Sequence, residues 1–252
     1  MYMNTQATLE KMHQMKFYGM AKAYQASLQQ KNGDPIPMDH LIAHLVDSEW
    51  LDREHRKTNR HIRAARFRYP ASIEQIDYNA ARNLDKEQIL RLSEGSYLNR
   101  SENLIITGPT GVGKSYIASA LGYQACNQGF KVRYFNLNKL FSWMHISKAD
   151  NSYLKEMNKL EKTNLLILDD FGLQSIGGPN RMLLLEIMED RYDRQSTIIA
   201  SQLPVEKWYD MFDDNTVADA ILDRLIHRSH RIVLKGDSMR KVKNLNMNSK
   251  EY

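Results

Sequence analysis

Residues Gly108-Pro109-Thr110-Gly111-Val112-Gly113-Lys114-Ser115 place three glycines ahead of a lysine and a hydroxyl. Glycines let successive backbone N–H groups turn inward around a phosphate chain, and a helix starting just after them adds the positive end of its dipole. In that setting Lys114 reaches the β- and γ-phosphates of a nucleotide and the Ser115 hydroxyl ligates magnesium. The stretch Gly108 to Ser115, with Tyr116 directly behind it, is therefore the expected seat of ATP and Mg2+. A glycine turn that only joined a strand to a helix would not call for Lys-Ser at this spot.

Three further groups of residues fit the same chemistry. In Leu165-Leu166-Ile167-Leu168-Asp169-Asp170 four apolar residues end in two carboxylates. Asp169 is the expected magnesium ligand, directly or through water, and Asp170 the group that orients and polarises the water attacking the γ-phosphate. Thr197-Ile198-Ile199-Ala200-Ser201-Gln202-Leu203-Pro204 ends a strand in polar residues, and either Ser201 or Gln202 is a candidate sensor of the γ-phosphate. Between Asp219 and Arg228, Arg224 and Arg228 stand four positions apart, a spacing that shares one face of a helix. A guanidinium fork suits a γ-phosphate, provided that a neighbouring subunit presents the nucleotide.

The elements that must hold these groups are legible from apolar periodicity. Asn103 to Thr107 is an apolar run entering the glycine turn, as a buried parallel strand does. A helix is expected from Lys114 to about Gln128, a strand over 131–135, helical segments to about Glu161, a strand over 165–168, a helix from Asn180 to Asp193 and a strand over 197–200. Strands alternating with helices predict an α/β fold with a parallel sheet covered on both faces. Ahead of it, one helix is expected from about Thr5 to Gln30, weakened near its middle by Gly19 at a cost of about 1 kcal/mol. Gly33, Pro35 and Pro37 end it. A longer helix begins near Asp39, with Leu41, Ile42, Leu45, Val46 and Trp50 as its apolar stripe, and Pro70 stops it. Ser72 and Gln75 have the spacing of a capping box. The expected domains are a helical module over 1–70 and an ATPase domain over 71–252.

With 252 residues, 42% hydrophobic and 26% charged, the chain is an ordinary globular sequence, long enough for one full core and a small accessory module. No apolar run reaches the roughly 18 residues that span a bilayer, and the first residues lack the order of a signal peptide, so no membrane partner and a cytoplasmic location are expected. The single cysteine, Cys126, is expected as a buried small hydrophobe. The net charge of +5 is concentrated in two runs. One holds Arg53, Arg56, Lys57, Arg60, Arg63, Arg66 and Arg68; the other holds Arg224, Arg228, Arg231, Lys235, Arg240, Lys241 and Lys243. Each run reads either as a solvated face or as a nucleic-acid contact.

The P-loop, the paired acids, Ser-Gln-Leu-Pro and Ile-Leu-Asp-Arg-Leu together resemble the AAA+ ATPases of the initiator and helicase-loader group. Met15-Lys16-Phe17-Tyr18-Gly19-Met20-Ala21, Trp50-Leu51-Asp52-Arg53-Glu54, Leu168-Asp169-Asp170-Phe171-Gly172 and Leu234-Lys235-Gly236-Asp237-Ser238-Met239-Arg240 are similar, more specifically, to the IstB-like helper ATPases of bacterial insertion sequences. The resemblance covers nearly the whole chain. It implies an AAA+ P-loop αβα sandwich with a central parallel sheet behind a small N-terminal all-α domain. It further implies ATP-dependent homo-oligomerisation on double-stranded DNA, stimulation of a partner transposase at a target site, and Arg224 or Arg228 as an arginine finger acting in trans. Two positions depart from the wider pattern: Asp170 stands where most AAA+ members have glutamate, and Ser201 or Gln202 where many have a sensor asparagine. A DnaC-like replication helicase loader is the alternative function. A small-molecule kinase shares the P-loop but fits the trans arginine pattern poorly. For the basic stretch 53–68 the open roles are DNA contact, transposase docking and subunit packing.

Overall fold

The computed structural model describes residues 2–29, 37–78 and 81–239, and Gly33, Pro35, Arg240, Lys241 and Lys243 lie outside these. The chain divides into two compact units, residues 1–60 and 61–252.

The first unit is helical: α1 (Tyr2–Gln14), α2 (Tyr18–Gln29) and most of α3 (Met38–Ala65). The single helix expected over 5–30 is in fact two, parted where Lys16 takes a left-handed φ of 60°. The cause lies outside the segment. The Glu49 carboxylate of α3 accepts hydrogen bonds from the backbone N–H groups of Gly19 at 2.9 Å and Met20 at 3.2 Å, giving α2 an N-terminal anion in place of a continued helix. Gly19 permits this approach, since a Cβ there would lie 2.8 Å from the Glu49 Cα. Burial opposes the charge on Glu49, but the bonds from Arg53, Met20 and Gly19 outweigh it and hold the carboxyl below its usual pKa. The apolar stripe expected on α3 is largely uncovered, with Ile42, Val46 and Trp50 all exposed.

The second unit is a parallel sheet of order β2-β3-β4-β1-β5, built from β1 (Asn103–Thr107), β2 (Val132–Asn136), β3 (Leu165–Phe171), β4 (Ser196–Ser201) and β5 (Ser229–Val233). Alternate residues of each strand serve opposite layers. Leu104, Ile106, Leu165, Ile167 and Ile198 pack with α4 (Lys86–Ser93), α5 (Ser96–Asn99) and α6 (Lys114–Asn127). Ile105, Leu166, Leu168 and Ile199 pack with α7 (Leu137–Ala149), α8 (Tyr153–Glu161), α9 (Pro179–Arg191) and α10 (Asn215–Ile226). Burial on both faces is why these strands read as unbroken apolar runs. Cys126 is fully buried on α6, and burial pushes its thiol up to about 12.

Several expectations are corrected. Ser72 opens a turn in which its carbonyl accepts the Gln75 N–H at 3.3 Å, and no helix follows, so there is no capping box. Arg228 lies beyond the end of α10 and does not share its face with Arg224. Arg231 sits on β5, an edge strand in which Ile232 is the one buried residue, so this part of the second basic run is sheet, not solvated tail. Among the described residues no helix is long and apolar enough to cross a membrane.

Candidate functional site

β1 delivers the chain to the P-loop at the carboxyl end of the sheet, where parallel α/β folds bind their ligands. Gly108, Gly111 and Gly113 have φ of 148°, 86° and 103°, a region that L side chains rarely enter. A Cβ on Gly111 would also lie 2.7 Å from the Cβ of Ser238. That contact belongs to a later segment laid over the loop: Leu234 N–H donates to Thr107 O at 2.8 Å and Met239 N–H to Gly111 O at 2.9 Å. Beneath the loop the buried Arg82 donates to Val112 O at 3.1 Å and to Asp77 O. Its own carbonyl accepts the Lys235 N–H at 3.0 Å. The phosphate loop is thus braced both by the later segment and by Arg82.

Lys114 opens α6 and folds back over the loop, its Nζ donating to Gly108 O at 2.7 Å and Pro109 O at 2.8 Å. Burial lowers its pKa, with Asp169 and Asp170 pulling the other way. Ser115, Tyr116, Tyr69, Gln75 and Arg82 line an adjoining cleft of about 420 Å³, a volume suited to a nucleoside. Tyr116 Oη donates to Gln75 Oε1 at 3.2 Å across this cleft.

The two acids lie in β3 where its register with β4 shifts, between Leu168 and Phe171, while Asp169 stays paired with Asn136 of β2. Asp170 takes a left-handed φ of 58°, a conformation uncommon for non-glycine residues that aspartate adopts more readily than most. This kink turns both carboxylates to the same side. Asp169 Oδ2 accepts from Tyr134 Oη and, at 3.3 Å, from Arg68 Nη1. Asp170 Oδ2 accepts from Asn136 Nδ2 at 2.8 Å and Arg68 Nη1 at 3.4 Å. Burial first, and then Asp169, push the Tyr134 phenol far above its usual pKa, so it remains a donor. Asp169 Oδ1 is buried without a hydrogen-bond partner among the described residues. A buried carboxylate oxygen left in this state fits a metal ion or its water shell.

Gln202 Oε1 accepts from the P-loop Thr110 Oγ1 at 2.7 Å, whereas the Ser201 hydroxyl is turned inward, donating to Phe171 O at 2.7 Å and accepting Leu203 N–H at 3.1 Å. The structure therefore gathers Gly108 to Tyr116, Asp169, Asp170 and Gln202, and gives Ser201 a main-chain role beside them. Arg224 and Arg228 are elsewhere. Their carbonyls accept from Asn103 at the opposite end of β1, about 15 Å from the loop at roughly 3.3 Å per strand residue. Arg224 pairs with Glu189 at 2.9 Å and Arg228 with Asp193 at 2.7 Å. Sequence reasoning missed Arg82, Tyr134 and Asn136, and saw Arg68 only as one charge in a run. Asn136 alone carried a signal, being the polar end of a strand beside the acids.

A five-stranded parallel sheet with a P-loop after β1 and paired acids at the end of β3 defines an AAA+ P-loop ATPase. The pattern of the IstB-like ATP binding protein family matches residues 10–247, and the chain belongs to that family. It is 42% identical over 236 residues to a putative insertion sequence ATP-binding protein of Sinorhizobium fredii, covering 93% of this chain and 96% of the relative. It is 36% identical over 203 residues to the putative ATP-binding protein of insertion sequence IS1162 from Pseudomonas fluorescens, covering 80% and 88%. Among solved structures, the DnaC helicase loader superposes with a TM-score of 0.56 at 20% identity, over 66% of this chain and 98% of that one, a likeness of fold. ATP binding follows from the family, and ATP hydrolysis is the activity of the class.

Proposed function

We propose that this ATPase uses bound Mg-ATP to assemble into a homo-oligomer on double-stranded DNA, where it marks a target site and recruits a partner transposase. Ser115 and Asp169 hold magnesium, Lys114 steadies the β- and γ-phosphates, and Asp170 orients the attacking water. Gln202, bonded to the P-loop, is the better placed of the two sensor candidates. The observation that carries the reading is the position of Arg224 and Arg228, 26% and 46% exposed, at the far end of β1 from their own P-loop. Arginines so placed serve a γ-phosphate only when a second copy brings one to them. ATP then acts as the adhesive between subunits, and its hydrolysis releases them.

The relatives named as insertion sequence proteins support the transposition context, because the match runs through the N-terminal helices as well as the ATPase core. The helicase-loader alternative rests on a likeness of fold alone. For the DNA contact, Arg53, Arg56 and Lys57 are engaged with Glu49, Asp52 and Glu54. Arg63 and Arg66 are exposed and make no ion pair among the described residues, which leaves them free for backbone phosphates. Phosphate contacts of this kind tolerate any sequence and weaken steeply with salt. The test is sedimentation of the protein with duplex DNA, with and without Mg-ATP, over a salt series. Fast-sedimenting complexes that need both ligands and dissolve as salt rises are expected; a monomer under every condition overturns the reading.

A further inference from the structure

The guanidinium of Arg68 stands between the two carboxylates, 3.3 Å from Asp169 Oδ2 and 3.4 Å from Asp170 Oδ2. Both distances exceed the roughly 2.7–2.9 Å of a committed charge-assisted hydrogen bond. The side chain is 42% exposed on a buried and half-buried pair of acids, so solvent can take it back. Its main chain, by contrast, is fixed. Phe67 before it and Tyr69 after it both pack against the core of the ATPase unit, and Phe67 meets the Tyr123 ring of α6 at 6.3 Å. The guanidinium also lies over the Tyr69 ring, 5.6 Å from its centroid, on the solvent-facing side of the acids.

We infer that Arg68 is a placeholder cation: it neutralises Asp169 and Asp170 while the site lacks metal, and Mg-nucleotide displaces it. Two carboxylates fixed on one side of a kinked strand repel one another, and Lys114, the other cation at hand, is bonded to its own loop. A single positive charge shared over two long contacts offsets that repulsion without engaging Asp169 Oδ1, which keeps no hydrogen-bond partner among the described residues. A divalent ion outcompetes a monovalent guanidinium for the pair, and the freed side chain swings toward solvent beside the nucleotide cleft. This role rests on magnesium being held by Asp169, as proposed above.

The test is direct metal binding to the full-length protein. Free Mn2+, the probe in place of magnesium, is followed by its electron paramagnetic resonance signal as ADP-loaded wild type, Arg68→Ala and Arg68→Lys are titrated. Because the competing charge is partly solvated, its removal should lower the half-saturating Mn2+ concentration by about tenfold. Arg68→Lys, which keeps the charge, should bind Mn2+ as wild type does. An Arg68→Ala protein that keeps its thermal transition but binds Mn2+ equally or more weakly overturns the inference, since Arg68 would then be a permanent clamp. Should Arg68→Ala fail to fold, wild-type-like binding by Arg68→Lys together with tighter binding by Arg68→Gln supports the inference, and unchanged or weaker binding by Arg68→Gln overturns it. Should wild type itself bind no Mn2+ with nucleotide present, the assignment of Asp169 as metal ligand fails first.

Discussion

Asn136 Nδ2 donates to Asp170 Oδ2 at 2.8 Å from the end of the neighbouring strand, across a point where β3 has left its register with β4. The bond ties this carboxylate, proposed to orient the attacking water, to the edge strand β2. Replacing Asp170 by Asn keeps the shape and removes the base, so nucleotide should still bind while turnover falls by roughly 10²–10⁴. Asn136→Ala leaves the carboxylate present but unguided, and a smaller loss in kcat with KM nearly unchanged is expected. Steady-state ATPase assays beside calorimetric ATP titration separate the two effects.

Gly111 has a φ of 86° and lies under Ser238. Gly111→Ala meets both a forbidden backbone region and a side chain with nowhere to go, so a loss of about 1–2 kcal/mol in stability and at least a tenfold loss in ATP affinity are expected. Thermal melting and equilibrium binding of a fluorescent nucleotide check this. Normal affinity in the variant would show that the loop does not need its present shape.

Arg224 and Arg228 each hold an acid of their own subunit, Glu189 and Asp193. Whichever serves as the proposed trans arginine must give that pair up on assembly. Its alanine variant should lose a factor of roughly 10³ in assembled-state turnover while binding ATP normally as a monomer. The other variant should lose little. Mixing the finger variant with Asp170→Asn subunits should restore part of the activity, because each lacks a different half of a shared site.

Glu49 gives the N-terminal helices a dependence on acid. Its folded pKa lies below the unfolded value, so the stability it contributes is complete above the usual carboxylate range and disappears as pH falls through the folded pKa. Amide exchange at Gly19 and Met20, corrected for intrinsic rate, should therefore accelerate on acidification. Glu49→Gln should cost about 1.5–3 kcal/mol at neutral pH and flatten that dependence.

What was readable in the chain and what was not divides along a physical line. The P-loop and the strand ending in Asp169 and Asp170 are legible because their residue types and their secondary structure sit in consecutive residues. The break at Lys16 was hidden because its cause, Glu49, is contributed by another helix. Ser229 to Val233 escaped as a strand because its edge position leaves Arg231 and Val233 exposed, and Arg231 there imitates a residue of a basic tail. Arg68, Arg82 and Tyr134 reach the site only through folding, so no local pattern marks them. The left-handed conformation of Asp170 is likewise invisible, since nothing in the neighbouring residues marks it.

The segment from Leu234 to Met239 lies across the phosphate loop and is bonded to it at Thr107 and Gly111. More than a hundred residues separate the loop from this cover along the chain. A polypeptide emerging from the ribosome therefore holds the glycine loop before it holds the segment that braces it.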